Sequence, residues 1–287
     1  MPERPVEAAA ACEVTIVVPT RNRSEPLRRC LEALSGQVGV ETIEIIVVDD
    51  GSDDPAAVDA ALEHAPQARL LRQPRSGPAS ARNAGVRAAR GSIVCFTDDD
   101  CEPDPDWAAA LAAALRDGAD IVAGTTVNGL PGNSYAVAAQ LVTDYVTERG
   151  RHPFAATNNL AAGDGFLREL PFDEAFRDAG GEDREWCRRV AARGYRISSS
   201  PARVVHYHEL TRTTYVGQQL RYGRGSYRYH ASGPAFERSG FYTGLIGRGF
   251  RTCVRVGLLV AAAQLATGVG YVTEWVATQR SRPSLRD

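Results

Sequence analysis

A four-residue apolar run, Ile93-Val94-Cys95-Phe96, stops at three consecutive aspartates, Asp98, Asp99 and Asp100, and Pro103 and Pro105 follow closely. The length and side chains of the run predict a strand buried on both faces, and the prolines end any regular element soon after it. The carboxylates therefore belong at the C-terminal end of a strand, the edge along which open α/β sheets bind ligands. Three adjacent carboxylates repel one another unless a cation neutralises them. Asp98 and Asp100, two apart, form a hard-oxygen pair suited to Mg²⁺ or Mn²⁺ carrying phosphate oxygens. On these residues alone, a solvated acidic turn capping the next helix explains the run equally well.

The preceding chain alternates strand and helix signals. Val14 to Val18 is a β-branched run that breaks at Pro19, and Ser24 is placed to cap a helix on which Leu27, Cys30, Leu31 and Leu34 recur at helical spacing. Ile43 to Val48 repeats the design, ending at Asp49 and Asp50 with Gly51 permitting a tight turn, and a helix is expected from about Pro55 to Glu63. A short strand at Arg69 to Arg72 and a helix within GPASARNAGVRAARG lead to the aspartate strand. Such alternation predicts a mostly parallel, Rossmann-like α/β sheet flanked by helices. With 44% hydrophobic residues over 287 positions, the chain can bury one large domain with appendages. Its formal net charge of −2 gives no electrostatic reason to expect nucleic acid. All 33 basic residues are arginine, which reads as compositional bias. Six cysteines without a CxxC pair favour reduced thiols and a cytoplasmic location. Residues 1–12 lack a long apolar core and are expected to form a loose tail and not a signal peptide.

Five segments, VVPTRNR, IIVVDDGSDD, GPASARNAG, FTDDDCEPDPDW and GGEDREWCRRVAARG, stand in the order and approximate spacing of the family 2 glycosyltransferases. The chain resembles that family over about residues 13–225, with residues 226–287 left as a C-terminal helical extension. The resemblance implies the GT-A fold and an inverting enzyme that moves a sugar from a nucleotide-diphosphate donor to a hydroxyl acceptor with Mn²⁺ or Mg²⁺. Under it, Pro19, Thr20, Arg21, Asp49 and Asp50 belong to the nucleoside pocket. A carboxylate at Asp50 suits the imide N–H of uracil or thymine, which favours UDP- or dTDP-sugars, while Asp49 is free to hold the loop. Arg82 is placed beside the nucleotide, where its planar fork matches phosphate. A structural salt bridge is its other reading. In the DxD motif, Asp98 lies on the ribose side and in the metal shell, Asp99 intervenes and is counted with the nucleotide-binding residues, and Asp100 binds the metal, which stabilises the charge on the leaving diphosphate.

Downstream, Asp120 to Ala123 reads as a strand, TTVNGLPGNS as a loop and SYAVAAQLVTDYV as a helix. Asn158 and Asn159 resemble an acceptor-side segment, because an amide donates to and accepts from sugar hydroxyls; both also suit a plain turn. Glu182 and Asp183 open a helix marked by Trp186, Cys187, Val190 and Ala191. Helix-terminus electrostatics alone explain an acidic pair there. The resemblance makes Asp183 the base that takes the acceptor proton, with Glu182 orienting it, and Asp183 is expected to be exposed and ionised. In RVVHYHE, His206 and His208 share a strand face; His206 is the expected metal ligand and His208 the alternative. The apolar stretch Gly257 to Val272 falls short of the roughly 20 residues that span a bilayer. It is expected to pack on the domain or lie at the inner face of the cell membrane as a peripheral contact. A non-catalytic nucleotide-sugar-binding protein of the same fold is the alternative to an enzyme. A nucleotidyltransferase lacks support, because VVPTRNRSEP is not glycine-rich.

Overall fold

The computed structural model describes residues 12–280 apart from Ser232, so the expected loose tail lies, but for Cys12, outside the described residues. The first half contains β1 (Val14–Thr20), α1 (Ser24–Ser35), β2 (Ile43–Asp49), α2 (Pro55–Leu62), β3 (Arg69–Arg72), α3 (Pro78–Ala88) and β4 (Ile93–Phe96). There follow β5 (Cys101–Pro103), α4 (Trp107–Arg116), β6 (Ile121–Asn128), α5 (Ser134–Arg149), a 3-10 turn at Thr157–Asn159, β7 (Leu160–Gly163), α6 (Asp164–Glu169), α7 (Glu182–Ala192) and β8 (Ile197–His206). Three helices complete the described residues: α8 (Arg212–Ala231), α9 (Ser239–Thr252) and α10 (Val254–Arg280).

The eight strands form one sheet in the order β3-β2-β1-β4-β7-β6-β8-β5. β3, β2, β1 and β4 run parallel, and β7 is antiparallel to both β4 and β6. The chain lays β2 and β3 on one side of β1 and then crosses to place β4 on the other. The order thus reverses between β1 and β4, the position at which open sheets leave a ligand crevice beyond the strand ends. Thr20 to Arg23 and Thr97 to Asp100 emerge side by side there.

Both faces of the sheet are covered. Leu27, Cys30, Leu31 and Leu34 of α1 are buried, as their spacing predicts, in one apolar layer with Val58 of α2 and Trp107 and Leu111 of α4. On the other face Phe96, Phe172 and Trp186 share a layer with Val86 of α3 and Val190 of α7. There Phe172 meets Phe96 edge-on at 5.6 Å and stacks on Trp186 at 5.1 Å. A third cluster, with Leu141, Tyr215, Leu245, Val256 and Val260, joins α5, α8, α9 and α10.

Four expectations change. Helix α1 begins at Ser24 itself with Arg23 as its cap residue, and no side chain caps it. Strand β6 continues through Thr125–Asn128, expected as loop, because Thr125 to Asn128 pair with Arg203 to His206 of β8. The boundary at 225/226 falls inside α8, one continuous helix, so the helical extension has no break there. Helix α10 runs 27 residues, past the apolar Gly257–Val272 core, and is long and apolar enough by composition to cross a bilayer. One face of it packs on the domain through Val256, Val260 and Ala263.

Candidate active site

The turn after β1 is held to the turn after β2 by a reciprocal pair: Asn22 Nδ2 donates to Asp53 at 2.7 Å, and the Asp53 N–H donates to Asn22 Oδ1 at 2.7 Å. Asn22 adopts φ 56°, a left-handed conformation that Asn tolerates better than most residues. This turn delivers Arg23 to the aspartates. Its guanidinium lies 3.1 Å from Asp99 and 2.5 Å from Asp100. Arg23 was not singled out from the sequence, although the RNR triplet offers two arginines; Arg21 instead donates to the Gly51 carbonyl at 3.3 Å.

The three aspartates part company. Asp98, partly exposed, accepts from Arg82 at 3.0 Å. Asp99 turns inward and accepts from the Thr20 hydroxyl at 2.8 Å. Burial, with the charges of Asp100 and Asp98, lifts the Asp99 carboxyl to about 7 against the pull of Arg23 and Thr20. The expected nucleotide contacts of Asp99 and of the Thr20 hydroxyl are therefore corrected, because each is engaged with the other beneath the crevice. Pro19 is a half-buried residue of β1.

Asp100 Oδ2 lies 3.1 Å from His206 Nε2 at the end of β8. Burial alone would raise the Asp100 carboxyl, but His206 and Arg23 outweigh it and hold it well below the usual range. Burial likewise works against a charged His206, and Asp100 overcomes it to raise the imidazole. Two ligands at right angles on a cation with bonds of about 2.1 Å sit about 3 Å apart, so this O/N pair fits Mn²⁺ or Mg²⁺. Cys101 Sγ belongs to the same cluster. Its burial raises the thiol well above its ordinary value, so it stays protonated and makes a poor partner for a hard ion. Arg23, its side chain 42% exposed, already neutralises part of this charge. His208 lies just beyond β8, stacked on His206 at 4.8 Å and 3.1 Å from Gln218 Nε2. Burial and the neighbouring His206 push it down to about 4, leaving it neutral. The geometry thus brings His206, and not His208, to Asp100.

Asp50, buried at the end of β2, accepts from Gln73 Nε2 at 2.7 Å and from the N–H groups of Ser76 at 2.7 Å and Gly77 at 2.8 Å. A carboxylate offers about four acceptor positions, so one remains for a base. Asp49 accepts from the Ser52 N–H at 2.9 Å and holds the turn.

Arg82, on α3, is buried and reaches both halves of the cleft: one arm donates to Asp98 and the other to Glu182 Oε1 at 3.2 Å. Its Nε is buried without a partner. Glu182 Oε2 accepts the Gly180 N–H at 2.8 Å, which fixes the loop before α7. Gly180 and Gly181 take φ 127° and 100°, where only glycine sits without strain, and Gly180 packs against the ring of Tyr222 on α8. Asp183 consequently sits half-buried, with Oδ1 accepting the Arg184 N–H at 2.8 Å. Burial first, and the Glu182 charge second, push its carboxyl up to about 7. The expectation of an exposed, weakly basic Asp183 is corrected: the fold makes it a stronger base.

The asparagines separate as well. Asn158 accepts from the Thr126 hydroxyl at 3.1 Å. Asn159 accepts from Trp107 Nε1 at 2.8 Å and donates to the carbonyls of Thr125 at 3.0 Å and Ala202 at 3.2 Å. Both its N–H donors are used inside the sheet, so Asn159 is a core tether and not an acceptor-side residue.

Several known proteins are similar. A family model described as glycosyl transferase family 2 matches residues 15–167. The pre-mycofactocin glycosyltransferase of Mycobacterium tuberculosis (strain H37Rv) is 28% identical over 233 residues, covering 77% of this chain and 48% of that protein. Glycosyltransferase AglE of Haloferax volcanii is 25% identical, with 64% and 63% covered, and succinoglycan biosynthesis protein ExoO of Rhizobium meliloti is 31% identical, with 68% and 60% covered. The chain thus spans about half to two thirds of the length of these relatives. Among solved structures, mannosyltransferase PcManGT from Pyrobaculum calidifontis, in complex with GDP-Man and Mn²⁺, superposes with a TM-score of 0.57 at 22% identity, covering 94% of this chain and 79% of that one. S. aureus TarS gives 0.51 at 15% identity, covering 92% and 55%. These likenesses establish the expected GT-A fold. Since the family model covers more than half of the chain, the protein is a member of glycosyl transferase family 2.

Proposed function

We propose that the protein transfers a sugar, with inversion, from a nucleotide-diphosphate donor to a hydroxyl-bearing acceptor in glycan, glycolipid or glycoconjugate synthesis. The observation that carries this reading is Arg82, which bonds Asp98 and Glu182 at once and so ties the aspartate run after β4 to the acidic pair of α7. Asp50 offers its remaining lone pair to the imide of uracil or thymine. Asp100 and His206 would hold Mn²⁺ or Mg²⁺, with Asp98 steering the donor and Arg23 giving up its place at Asp100 to the cation. A divalent ion there would supply Lewis-acid stabilisation of the leaving diphosphate. Asp183 takes the acceptor's proton as its oxygen attacks C1, and a carboxyl lifted to about 7 is poised for that step near neutral pH. Glu182 keeps Asp183 in place through Gly180 and Arg82.

The acceptor side meets a membrane in this reading. Leu258, Leu265, Val269 and Val272 form an exposed apolar stripe along α10, with Arg255 and Arg280 near its ends and Trp275 close by. That face suits the interface of an anionic leaflet, and the six free cysteines suit its reducing, cytoplasmic side. Nucleoside diphosphate release, measured over a panel of nucleotide sugars with Mn²⁺ and with excess chelator, tests the transferase reading. Metal-dependent release from at least one donor, lost in Asp100→Ala, supports it. Release unaffected by chelator removes the cation from the site, and a panel that binds without any release favours a non-catalytic binder.

A further inference from the structure

A second pocket, of about 550 Å³, opens between the end of α5 and the start of α9. Tyr145 and Phe241 line it, meeting edge-on at 5.0 Å, and Arg149, Arg151, Glu237 and Arg238 stand around them. The nearby acids all have partners. Glu148 pairs with Arg248 at 2.5 Å, and Asp144 accepts from Gln140 at 2.7 Å. Glu237 accepts the Arg151 N–H on its two oxygens at 3.0 and 3.2 Å and lies 3.7 Å from Arg184. By contrast, among the described residues the guanidinium groups of Arg149, Arg151 and Arg238 form no ion pair, and only Arg149 feels a nearby carboxylate, that of Glu148, which Arg248 already holds. Helix α9 also begins without a side-chain cap, so its first N–H groups add to the positive end of the pocket.

Three exposed arginines without an ion pair around an aromatic pair, with Glu237 the one acid lining the pocket, leave a net positive site that favours an anion, and guanidinium geometry matches phosphate oxygens best. The pocket's position narrows the role of that anion. Glu237 lies 3.7 Å from the guanidinium of Arg184, the residue after Asp183, which links the pocket to the start of α7, whereas its lining does not include Asp50, which the donor reading gives to the nucleoside.

We propose that this pocket binds a phosphate group carried by the acceptor, with Arg149, Arg151 and Arg238 holding the phosphate oxygens and Tyr145 and Phe241 packing on the group attached to it. Its assignment to the acceptor rests on the transferase reading; phosphate capture by the arginines does not.

The test titrates phenyl phosphate calorimetrically into the full chain in EDTA, which keeps metal ions from holding an anion at Asp100. Saturable binding is expected, weakened about a hundredfold or more in the R149Q/R238Q double variant, since a hydrogen bond to a charged group is lost at each position. Both side chains are exposed and form no ion pair among the described residues, so the variant should keep the wild-type unfolding temperature. A second arm measures binding to phosphatidylcholine vesicles with and without 20 mol% phosphatidic acid. If the double variant loses the phosphatidic acid preference, the phosphate is that of a lipid headgroup; if the preference persists while phenyl phosphate affinity falls, the pocket takes the phosphate of a soluble ligand. Equal phenyl phosphate affinity in wild type and variant, or no saturation in either, overturns the proposal whatever transfer activity the chain shows. Arginine-dependent phosphate binding in a chain that releases no nucleotide from any donor overturns the acceptor assignment and the transferase reading together, leaving only the anion site.

Discussion

Asp183→Asn separates the chemistry of the carboxylate from its place in the fold. The substitution keeps an acceptor oxygen for the Arg184 N–H, bonded at 2.8 Å, but it cannot take a proton. With the carboxyl lifted to about 7, roughly one tenth of wild-type molecules carry an ionised Asp183 at pH 6 and nine tenths at pH 8. Turnover should therefore rise about tenfold between those values, and the Asn variant should lose about 10²–10⁴-fold in turnover together with that rise. Donor affinity should change little, because the base acts only as the acceptor attacks. Stability moves the other way. The folded value lies above the ordinary 3.8, so the group favours folding below pH 3.8 and loses that contribution as pH rises through about 7. A rise of that size corresponds to about 4 kcal/mol before screening. Because the group is only half-buried, a gain of about 1–2 kcal/mol for Asp183→Asn at pH 8 is the expected remainder. The assays are initial rates from pH 5.5 to 8.5, calorimetric donor binding and urea unfolding of both proteins. A flat wild-type profile across pH 6–8, or equal turnover in the two proteins, refutes the assignment.

Three further outcomes follow from the same geometry. Arg23→Gln removes the guanidinium that Asp99 and Asp100 share, leaving His206 as the cation at Asp100, and should destabilise the metal-free protein by about 1–3 kcal/mol; Mn²⁺ should bind at least as tightly as in wild type and restore the loss, as thermal unfolding with and without the ion will show. Gly225→Ala sets a methyl group against the Gly180 carbonyl, so it should displace the loop that carries Glu182 and Asp183 and cost about 1–3 kcal/mol, with turnover falling more than donor affinity. Asp50→Ala should weaken binding of uridine and thymidine diphosphates and loosen the Gln73–Gly77 loop; unchanged calorimetric affinity for every nucleotide removes Asp50 from the pocket.

Much of the donor half was legible because its signals are local. Strands β1 to β4 are short β-branched or apolar runs bounded by Pro, Gly or Asp, and the spacing of Leu27, Cys30, Leu31 and Leu34 gave α1 its buried face. What the sequence concealed depends on residues far apart in the chain. Strand β6 extends through Thr125–Asn128 only because β8 lies beside it, some 75 residues later. Asn159 reads as a turn residue until Trp107, Thr125 and Ala202 converge on its amide. His206 and His208 are equivalent by alternation, and only the end of β8 at His206 distinguishes them. Asp183 looks like an exposed helix-start carboxylate until Glu182, Arg82 and the Tyr222 side of α8 enclose it. Arg23 was visible in RNR, but its reach across to β4 was not.

The central claim is direct attack by an acceptor hydroxyl that Asp183 deprotonates, which must invert the configuration at C1. Proton NMR of the product during the first turnovers, once a donor has been found, measures that configuration. The account predicts a product anomer opposite to that of the donor; a product of the same configuration would contradict it.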